Sequence, residues 1–293
     1  MRIRRQTKGR RQKRRSLLLI TFYFLLYVYH LLFSTFCLLL TVYCLLSSAF
    51  CLLPSAFAES SDVRRYTVRI IKTLPHNTRS FTQGLVYYDG MLYESTGLYG
   101  QSSLQKIEAD SGIVQQILPV PDVFAEGLAR WKNHLIQLTW MQNMAFIYNL
   151  SDFSRIGTFQ YETEGWGLTA DDRHLIMSDG TDVIYFRDPL SFATERTVHV
   201  TFDGKPVDQI NELEYIDGFI YANVWCKNYI IQIDPVDGKV VGDIDARPLF
   251  RMQRSLDKDS VLNGIAYNNE THTLYVTGKN WPTIFEVSVI QGF

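Results

Sequence analysis

The sequence predicts an all-β fold, a five-bladed β-propeller whose ring is closed by an N-terminal strand that completes the last blade, on three observations. First, one apolar strand–turn–strand unit recurs five times: FTQGLVYYDGMLYESTG from Phe81, FAEGLARWKNHLIQLTW from Phe124, EGWGLTADDRHLIMSDG from Glu164, INELEYIDGFIYANVW from Ile210 and LNGIAYNNETHTLYVTGKNW from Leu262. Second, copies recurring every 40–50 residues or so leave room for two further short strands each, the pattern of a four-stranded blade. Third, the fifth copy runs out of chain one strand short, while YTVRIIKTL, residues 66–74, precedes the first copy with no blade of its own. Joining the two ends removes the open sheet edge that an unclosed array presents.

The remaining strands follow in order. SLQKIEA and IVQQILPV complete the first unit, MAFIYNL and RIGTFQY the second, VIYFRDP and TERTVHV the third, YIIQIDP and KVVGDID the fourth, and TIFEVSV is the third strand of the fifth. Their turns are Asp110-Ser-Gly, Asp152-Phe-Ser, Asp188-Pro-Leu and Asp234-Pro-Val-Asp-Gly, all of the Asp, Gly and Pro chemistry that reverses a chain.

One slot in the repeat is chemically varied. It holds Gln83, Glu126, Trp166, Asn211 and Asn263, followed by Gly84, Gly127, Gly167, Glu212 and Gly264. The second strand of the hairpin ends at Gly97, Trp140, Gly180, Trp225 and, after an Asn-Glu-Thr insertion, Lys279. Start and end of an antiparallel hairpin share one face, and the first strand of a propeller blade is the innermost. The slots and their partners are therefore expected to converge at the mouth of the central channel, the default place for a ligand.

Residues 1–58 are read as a targeting region and residues 59–293 as a single catalytic domain. Nine of the twenty-nine Lys and Arg lie in the first fifteen residues, ahead of an apolar run from Leu17 to about Leu53 and a small-x-small site at Ala56-Phe-Ala58. Export to the periplasm or medium is expected, with two outcomes open: cleavage after Ala58, or retention of the run as a membrane anchor. Membrane contact is expected through this segment alone. Cys37, Cys44 and Cys51 fall in the run, leaving Cys226 as the one cysteine of the domain and no disulfide framework. From residue 59 onward, 30 acidic residues face 20 basic ones, a net charge near −10 that would repel nucleic acid. A monomer is expected.

The motifs exclude several chemistries. His76, His134, His174, His199 and His272 lack the spacing that places two imidazoles on one ion, and no Gly-x-Ser-x-Gly elbow is present. No cofactor is required; no loop has a calcium-site spacing, and a structural calcium in the channel is left open without a motif to support it. The ring holds one carboxylate, Glu126, one cation, Lys279, three amides, Gln83, Asn211 and Asn263, and three indoles, Trp140, Trp166 and Trp225. Such a set suits proton transfer inside an aromatic pocket while polar groups hold the substrate.

The segments Phe-Thr-Gln83-Gly-Leu, Phe-Ala-Glu126-Gly-Leu, Leu-Thr-Trp140, Glu-Gly-Trp166-Gly-Leu-Thr, Ile-Asn211-Glu-Leu-Glu, Ala-Asn-Val-Trp225, Val-Leu-Asn263-Gly-Ile-Ala and Thr-Gly-Lys279-Asn-Trp-Pro resemble the glutaminyl-peptide cyclotransferases of the plant and bacterial type. The resemblance covers essentially all of residues 66–293. It implies a five-bladed propeller and an aminoacyltransferase that converts the N-terminal glutamine of peptides and proteins to pyroglutamate with loss of ammonia, without metal. It further implies that Glu126 is the general acid/base and that Lys279 stabilises the oxyanion. By the same resemblance Asn211 binds the γ-carboxamide, Gln83 the backbone end of the substrate, and Trp140, Trp166 and Trp225 wall the pocket with Phe81 beside them. Asn263 receives no role beyond structure or channel lining, Glu212 and Glu214 are read as hydrogen-bonding residues between blades, and Trp131 and Trp281 as packing. Two other classes stay open: a non-catalytic propeller that binds a peptide or protein on the same face, and a lactone or sugar hydrolase, which would want an axial calcium or more carboxylates in the ring.

Overall fold

Short strands separated by Asp- and Gly-rich turns build the domain. In the turns Asp152 accepts the Ser154 N–H at 2.9 Å, Asp188 the Ser191 N–H at 2.7 Å and Asp234 the Val236 N–H at 2.8 Å, so each aspartate side chain closes its own reversal. The computed structural model describes residues 24–35, 38, 63–253 and 257–292. The chain divides into two units, Met1–Ser60 and Ser61–Phe293. In the first, residues 24–35 are helical. Among the described residues no helix is long and apolar enough to cross a membrane. The basic segment, Ala56-Phe-Ala58, Cys37, Cys44 and Cys51 lie outside the described residues, and the export expectation with them.

The second unit is all-β, a propeller-like set of small sheets. A long strand β1 (Arg64–Pro75) is followed by three four-stranded antiparallel sheets, each in simple sequence order. They are β2 (Thr82–Tyr88), β3 (Met91–Thr96), β4 (Ser103–Glu108) and β5 (Val114–Pro119); β6 (Ala125–Trp131), β7 (His134–Thr139), β8 (Met144–Asn149) and β9 (Arg155–Gln160); and β10 (Leu168–Ala170), β11 (Leu175–Ser178), β12 (Val183–Arg187) and β13 (Thr194–His199). A two-stranded hairpin, β14 (Thr201–Phe202) with β15 (Lys205–Pro206), comes next. The fourth group is β16 (Ile210–Ile216), β17 (Phe219–Val224), β18 (Tyr229–Ile233) and β19 (Val240–Asp245); the fifth is β20 (Leu262–Asn268), β21 (Thr273–Gly278) and β22 (Thr283–Gln291).

The expected N-terminal partner of the fifth group is β1, which pairs antiparallel with β22 from Tyr66↔Gln291 to Pro75↔Thr283. The sequence pattern did not disclose that β1 also runs parallel to β19, from Arg64↔Gly242 to Thr67↔Asp245, so the last two groups form one eight-stranded sheet. The β14–β15 hairpin and the short helix Arg247–Arg251 were likewise unmarked by the repeat.

Burial falls from the first strand of a sheet to the last. Strands β2 and β3 are almost wholly buried, whereas β5 and β9 alternate between exposed and half-buried residues, as half-covered edge strands do. Five apolar cores lie between successive groups. Val86 and Leu104 pack with Leu128 and Phe146; Ile136 and Leu138 with Leu175 and Phe192; Ile184 and Phe186 with Leu213 and Ile231; Ile230 and Ile244 with Ile265 and Val276; and Leu85 and Leu92 with Ala266 and Ile284. The last of these joins the fifth group to the first.

The residue after the slot governs how closely the inner strands approach. A Cβ on Gly84 would lie 2.4 Å from the Leu128 nitrogen, one on Gly127 2.5 Å from the Leu168 nitrogen, and one on Gly167 1.9 Å from the Asn211 oxygen. Glycine is therefore required there by the neighbouring backbone. The fourth copy carries Glu212 instead, fully buried, whose carboxylate accepts the Leu85 N–H at 3.1 Å and the Ile265 N–H at 2.9 Å. Glu214 accepts the Tyr267 N–H at 3.0 Å and the Thr169 hydroxyl at 3.2 Å. Both glutamates thus bond between groups, as read from the sequence. A buried N–H without a partner costs about 1–3 kcal/mol, so Glu212 satisfies two donors that the crowded centre would otherwise leave unpaired, while burial and the neighbouring Glu214 charge push its carboxyl well above the usual range.

Candidate active site

A backbone irregularity sets the slot side chains apart from the rest of their strands. Pairing of the first and second strands slips after Thr82↔Thr96, Ala125↔Thr139, Ile210↔Val224 and Leu262↔Gly278, and resumes at Gly84, Leu128, Leu213 and Ile265. Gln83, Glu126, Asn211 and Asn263 lie within these bulges, a device that re-aims a side chain beside an active site. In the third copy Trp166 precedes β10 and is held by its N–H on the Ser178 carbonyl at 3.0 Å, while the Gly167 N–H donates to Ser178 Oγ at 2.8 Å. The slot was expected at the start of the first strand, and there it lies in four copies; the bulge, which the sequence did not disclose, is what turns its side chain aside. The second strands end at Thr96, Thr139, Ser178, Val224 and Gly278, so the paired position is the first loop residue beyond each, or the second in the third copy.

Four of the five slot residues and three of their five partners converge on one cavity of about 460 Å³. All eight site residues expected from the sequence line it: Phe81, Gln83, Glu126, Trp140, Trp166, Asn211, Trp225 and Lys279. Phe124, Leu98, Cys226, Lys258, Asp259 and Val261 also line it and were not anticipated. Phe124 had a signal, since it opens the second repeat as Phe81 opens the first. Asn263 does not line the cavity. It is buried behind it and donates from Nδ2 to the Thr82 carbonyl at 2.9 Å and to Gln83 Oε1 at 3.2 Å, which leaves the Gln83 amide nitrogen free to donate elsewhere.

The walls are aromatic. Phe124 meets Phe81 edge to face at 6.1 Å between centroids and Trp140 at 5.6 Å, and Trp166 meets Trp225 edge to face at 6.1 Å. Two glycines at strand ends make room for them: a Cβ on Gly180 would fall 2.5 Å from the Trp166 ring, and one on Gly97 2.4 Å from Phe124. Glu164, just ahead of Trp166, accepts from the Trp140 indole N–H at 2.7 Å and the Trp166 indole N–H at 2.9 Å on one carboxylate oxygen. It holds the position that Phe81 and Phe124 hold in the first two copies, two residues ahead of the slot, and the sequence reading gave it no role.

Lys279 is placed by the loop that follows β21. Its N–H donates to the Val261 carbonyl at 2.9 Å, and two residues on, the fully buried Trp281 lies against Gly278 and donates from its indole to the Ser260 carbonyl at 2.9 Å. His76 Nδ1 donates to the Trp281 carbonyl at 2.7 Å while its Nε2 faces Glu94 at 3.0 Å. Burial works against the His76 charge, but the Glu94 carboxylate and the Trp281 carbonyl outweigh it and raise the imidazole above its ordinary value. The Lys279 Nζ sits 4.7 Å from the centre of the Phe81 ring, so Phe81 serves the cation as well as the wall.

Glu126 and Lys279 are both nearly inaccessible to solvent, each 5% exposed. Burial pushes the Glu126 carboxyl well above the usual carboxylate range, the Lys279 charge opposes that, and the Glu164 charge adds to it. Burial lowers the Lys279 ammonium, opposed by Glu126 and then by Cys226. A raised acid and a lowered ammonium in one apolar cavity are the arrangement expected of proton-transfer and charge-stabilising groups. Asn211 is buried with an amide oxygen that has no hydrogen-bond partner within the protein, a group whose lone pairs are left unsatisfied by the fold. Among the described residues, no group of three or more His, Cys, Asp or Glu side chains is placed to hold a metal ion.

Residues 42–289 match the family model for glutamine cyclotransferase. The chain is 37% identical over 232 residues to the glutaminyl-peptide cyclotransferase of Arabidopsis thaliana, an alignment covering 76% of this chain and 72% of that relative. It also superimposes on the crystal structure of Myxococcus xanthus glutaminyl cyclase with a TM-score of 0.75 and 39% identity, across 79% of this chain and 100% of the other.

Proposed function

The chain belongs to the glutamine cyclotransferase family, and from that membership we propose that it converts the N-terminal glutamine of peptides and proteins to pyroglutamate with release of ammonia. The observation that carries this reading to the residues is the meeting of Glu126 and Lys279, both buried, in one aromatic cavity beside the unpaired acceptor of Asn211.

The reaction has three needs. The α-ammonium of the substrate must lose a proton, the γ-carbonyl oxygen must accept charge, and the carboxamide nitrogen must leave protonated. Glu126 takes the proton from the α-ammonium. The freed amine then attacks the γ-carboxamide carbon, and negative charge moves to the carbonyl oxygen beside Lys279, where a fixed cation in a dry site acts most strongly. As the oxygen reforms its double bond, the bond to the carboxamide nitrogen breaks and that nitrogen departs as ammonia with the proton held on Glu126; the extra proton on the new ring nitrogen then passes to the carboxylate and from it to the ammonia, which leaves as ammonium with Glu126 again ionised. Closure of a five-membered ring already holds the reacting atoms close, so the enzyme has mainly to fold the side chain back on itself. Asn211 receives the carboxamide N–H, Gln83, oriented by Asn263, donates to the backbone end of the substrate, and Trp140, Trp166 and Trp225 keep water out.

The test is direct. A Gln-initiated peptide incubated with the protein should lose one ammonia by mass spectrometry, and the same peptide with its α-amine acetylated should not. An unchanged Gln-initiated peptide would remove the reading.

We propose also that the five groups are five blades of a closed ring. The support is the run of five cores between successive groups, the last joining fifth to first, with the β1–β22 pairing. A chain begun at Phe81, lacking β1, should then lose its single cooperative unfolding transition; retention of that transition at an unchanged midpoint would count against closure.

A further inference from the structure

We propose that Glu164 is a positioning residue, whose one carboxylate oxygen binds the indole N–H groups of both Trp140 and Trp166 and so locks two separate aromatic clusters into a single substrate wall. The proposal rests on the cyclase reading of the cavity for its functional consequence, though not for its geometry.

The aromatic lining is in two pieces. Phe81, Phe124 and Trp140 form one chain of edge-to-face contacts, and Trp166 with Trp225 the other. The Glu164 carboxylate touches an indole of each piece, at 2.7 and 2.9 Å. Hydrogen bonds to an ionised acceptor are short and roughly twice as strong as neutral ones, and both distances fall in that range.

The backbone around Glu164 is built to hold it there. The Gly165 N–H donates to the Trp140 carbonyl and the Trp166 N–H to the Ser178 carbonyl, each at 3.0 Å. A Cβ on Gly165 would lie 2.3 Å from the Tyr161 hydroxyl and 2.7 Å from the Thr139 carbonyl, so only glycine lets the segment press against that floor. The sequence Glu-Gly-Trp thus supplies an acceptor, the residue that seats it and one of its two donors within three positions.

Its charge has a second effect, since Glu164 is one of the groups that raise the Glu126 carboxyl. A wall-locking residue of this kind is expected to act on substrate binding and, through its charge, on the protonation of the acid/base.

Two variants separate these contributions. Glu164→Gln keeps an oxygen that can accept both indoles and loses the charge. It should retain the near-ultraviolet circular dichroism of the substrate-free protein and keep KM within about threefold, while the acidic limb of the kcat/KM profile moves to lower pH. Glu164→Ala should lose the indole signal, shift the tryptophan emission and raise KM roughly tenfold or more, the scale of two lost charge-assisted bonds that are partly exposed. An Ala variant with wild-type dichroism and KM overturns the proposal, as does a Gln variant that loses the dichroism and KM of the wild type although it keeps the accepting oxygen. If Ala does not fold, Glu164→Asp decides instead: it keeps the charge but is one methylene too short to reach both indoles, and wild-type dichroism and KM in that variant would overturn the proposal. If the wild-type protein has no cyclase activity, the Proposed function fails by itself, while the dichroism of Gln against Ala still tests the clamp.

Discussion

Glu126→Gln is expected to lower kcat by about 10²–10⁴, the range for loss of one general acid/base, with KM nearly unchanged because the amide keeps the shape of the carboxylate. The wild-type kcat/KM profile should show an acidic limb above the ordinary carboxylate range, since burial raises Glu126, and this limb should vanish in the variant. Stability should move the other way. The folded protein holds the Glu126 proton more tightly than the unfolded chain does, so between the ordinary value of 4.5 and the raised one the folded state binds more protons, and stability falls as pH rises through that window. Above it the wild type carries a buried, desolvated carboxylate that glutamine does not. The variant should therefore match the wild type in thermal midpoint at pH 4 or so and exceed it at neutral pH. Slower turnover combined with greater stability is a signature that a packing role for Glu126 cannot produce. Turnover within about threefold of wild type would withdraw the acid/base role.

The same contrast shows what could be read from the chain and what could not. The five hairpins and the N-terminal partner of the fifth group were legible because each depends on local chemistry: alternating apolar residues, Asp-centred turns and a period that repeats. The cavity residues were legible from two positions of the repeat and a resemblance: the varied slot gave Gln83, Glu126, Trp166 and Asn211, the end of the second strand gave Trp140, Trp225 and Lys279, and the family motifs added Phe81. The bulges that aim them were not, since a bulge is a property of two paired strands, and a residue such as Gln83 looks the same inside a slip as outside it. Glu164 was missed, and the slot residue Asn263 was given no role beyond structure or channel lining, for a related reason. Neither meets the cavity as a lining residue; each acts by holding another side chain, Gln83 in one case and two tryptophans in the other. Glu212 stood out as a departure from four glycines, and its sequence reading as a bond between groups matched because a buried carboxylate at a crowded centre needs donors and backbone N–H groups are the ones at hand.

Lys279→Met should lower kcat by about 10²–10³, the usual consequence of removing one group that stabilises an oxyanion. Methionine keeps most of the length, and its thioether can take the place of the ammonium over the Phe81 ring, so the cavity should retain its shape and KM should change little. What separates this loss from general damage is its effect on Glu126. The Lys279 charge is the one that pulls the Glu126 carboxyl down against the effect of burial. Without it the carboxyl should rise further, and the acidic limb of the residual kcat/KM profile should move to higher pH, opposite to the shift expected of Glu164→Gln. The two charges flank Glu126 with opposite sign, so the pair of variants should displace one limb in two directions. At the alkaline end, wild-type activity should fall below the ordinary lysine range, because burial lowers the Lys279 ammonium, and that limb should be absent from the variant. A Lys279→Met enzyme with kcat within about threefold of wild type, or with the acidic limb unmoved, would place the oxyanion partner elsewhere in the cavity.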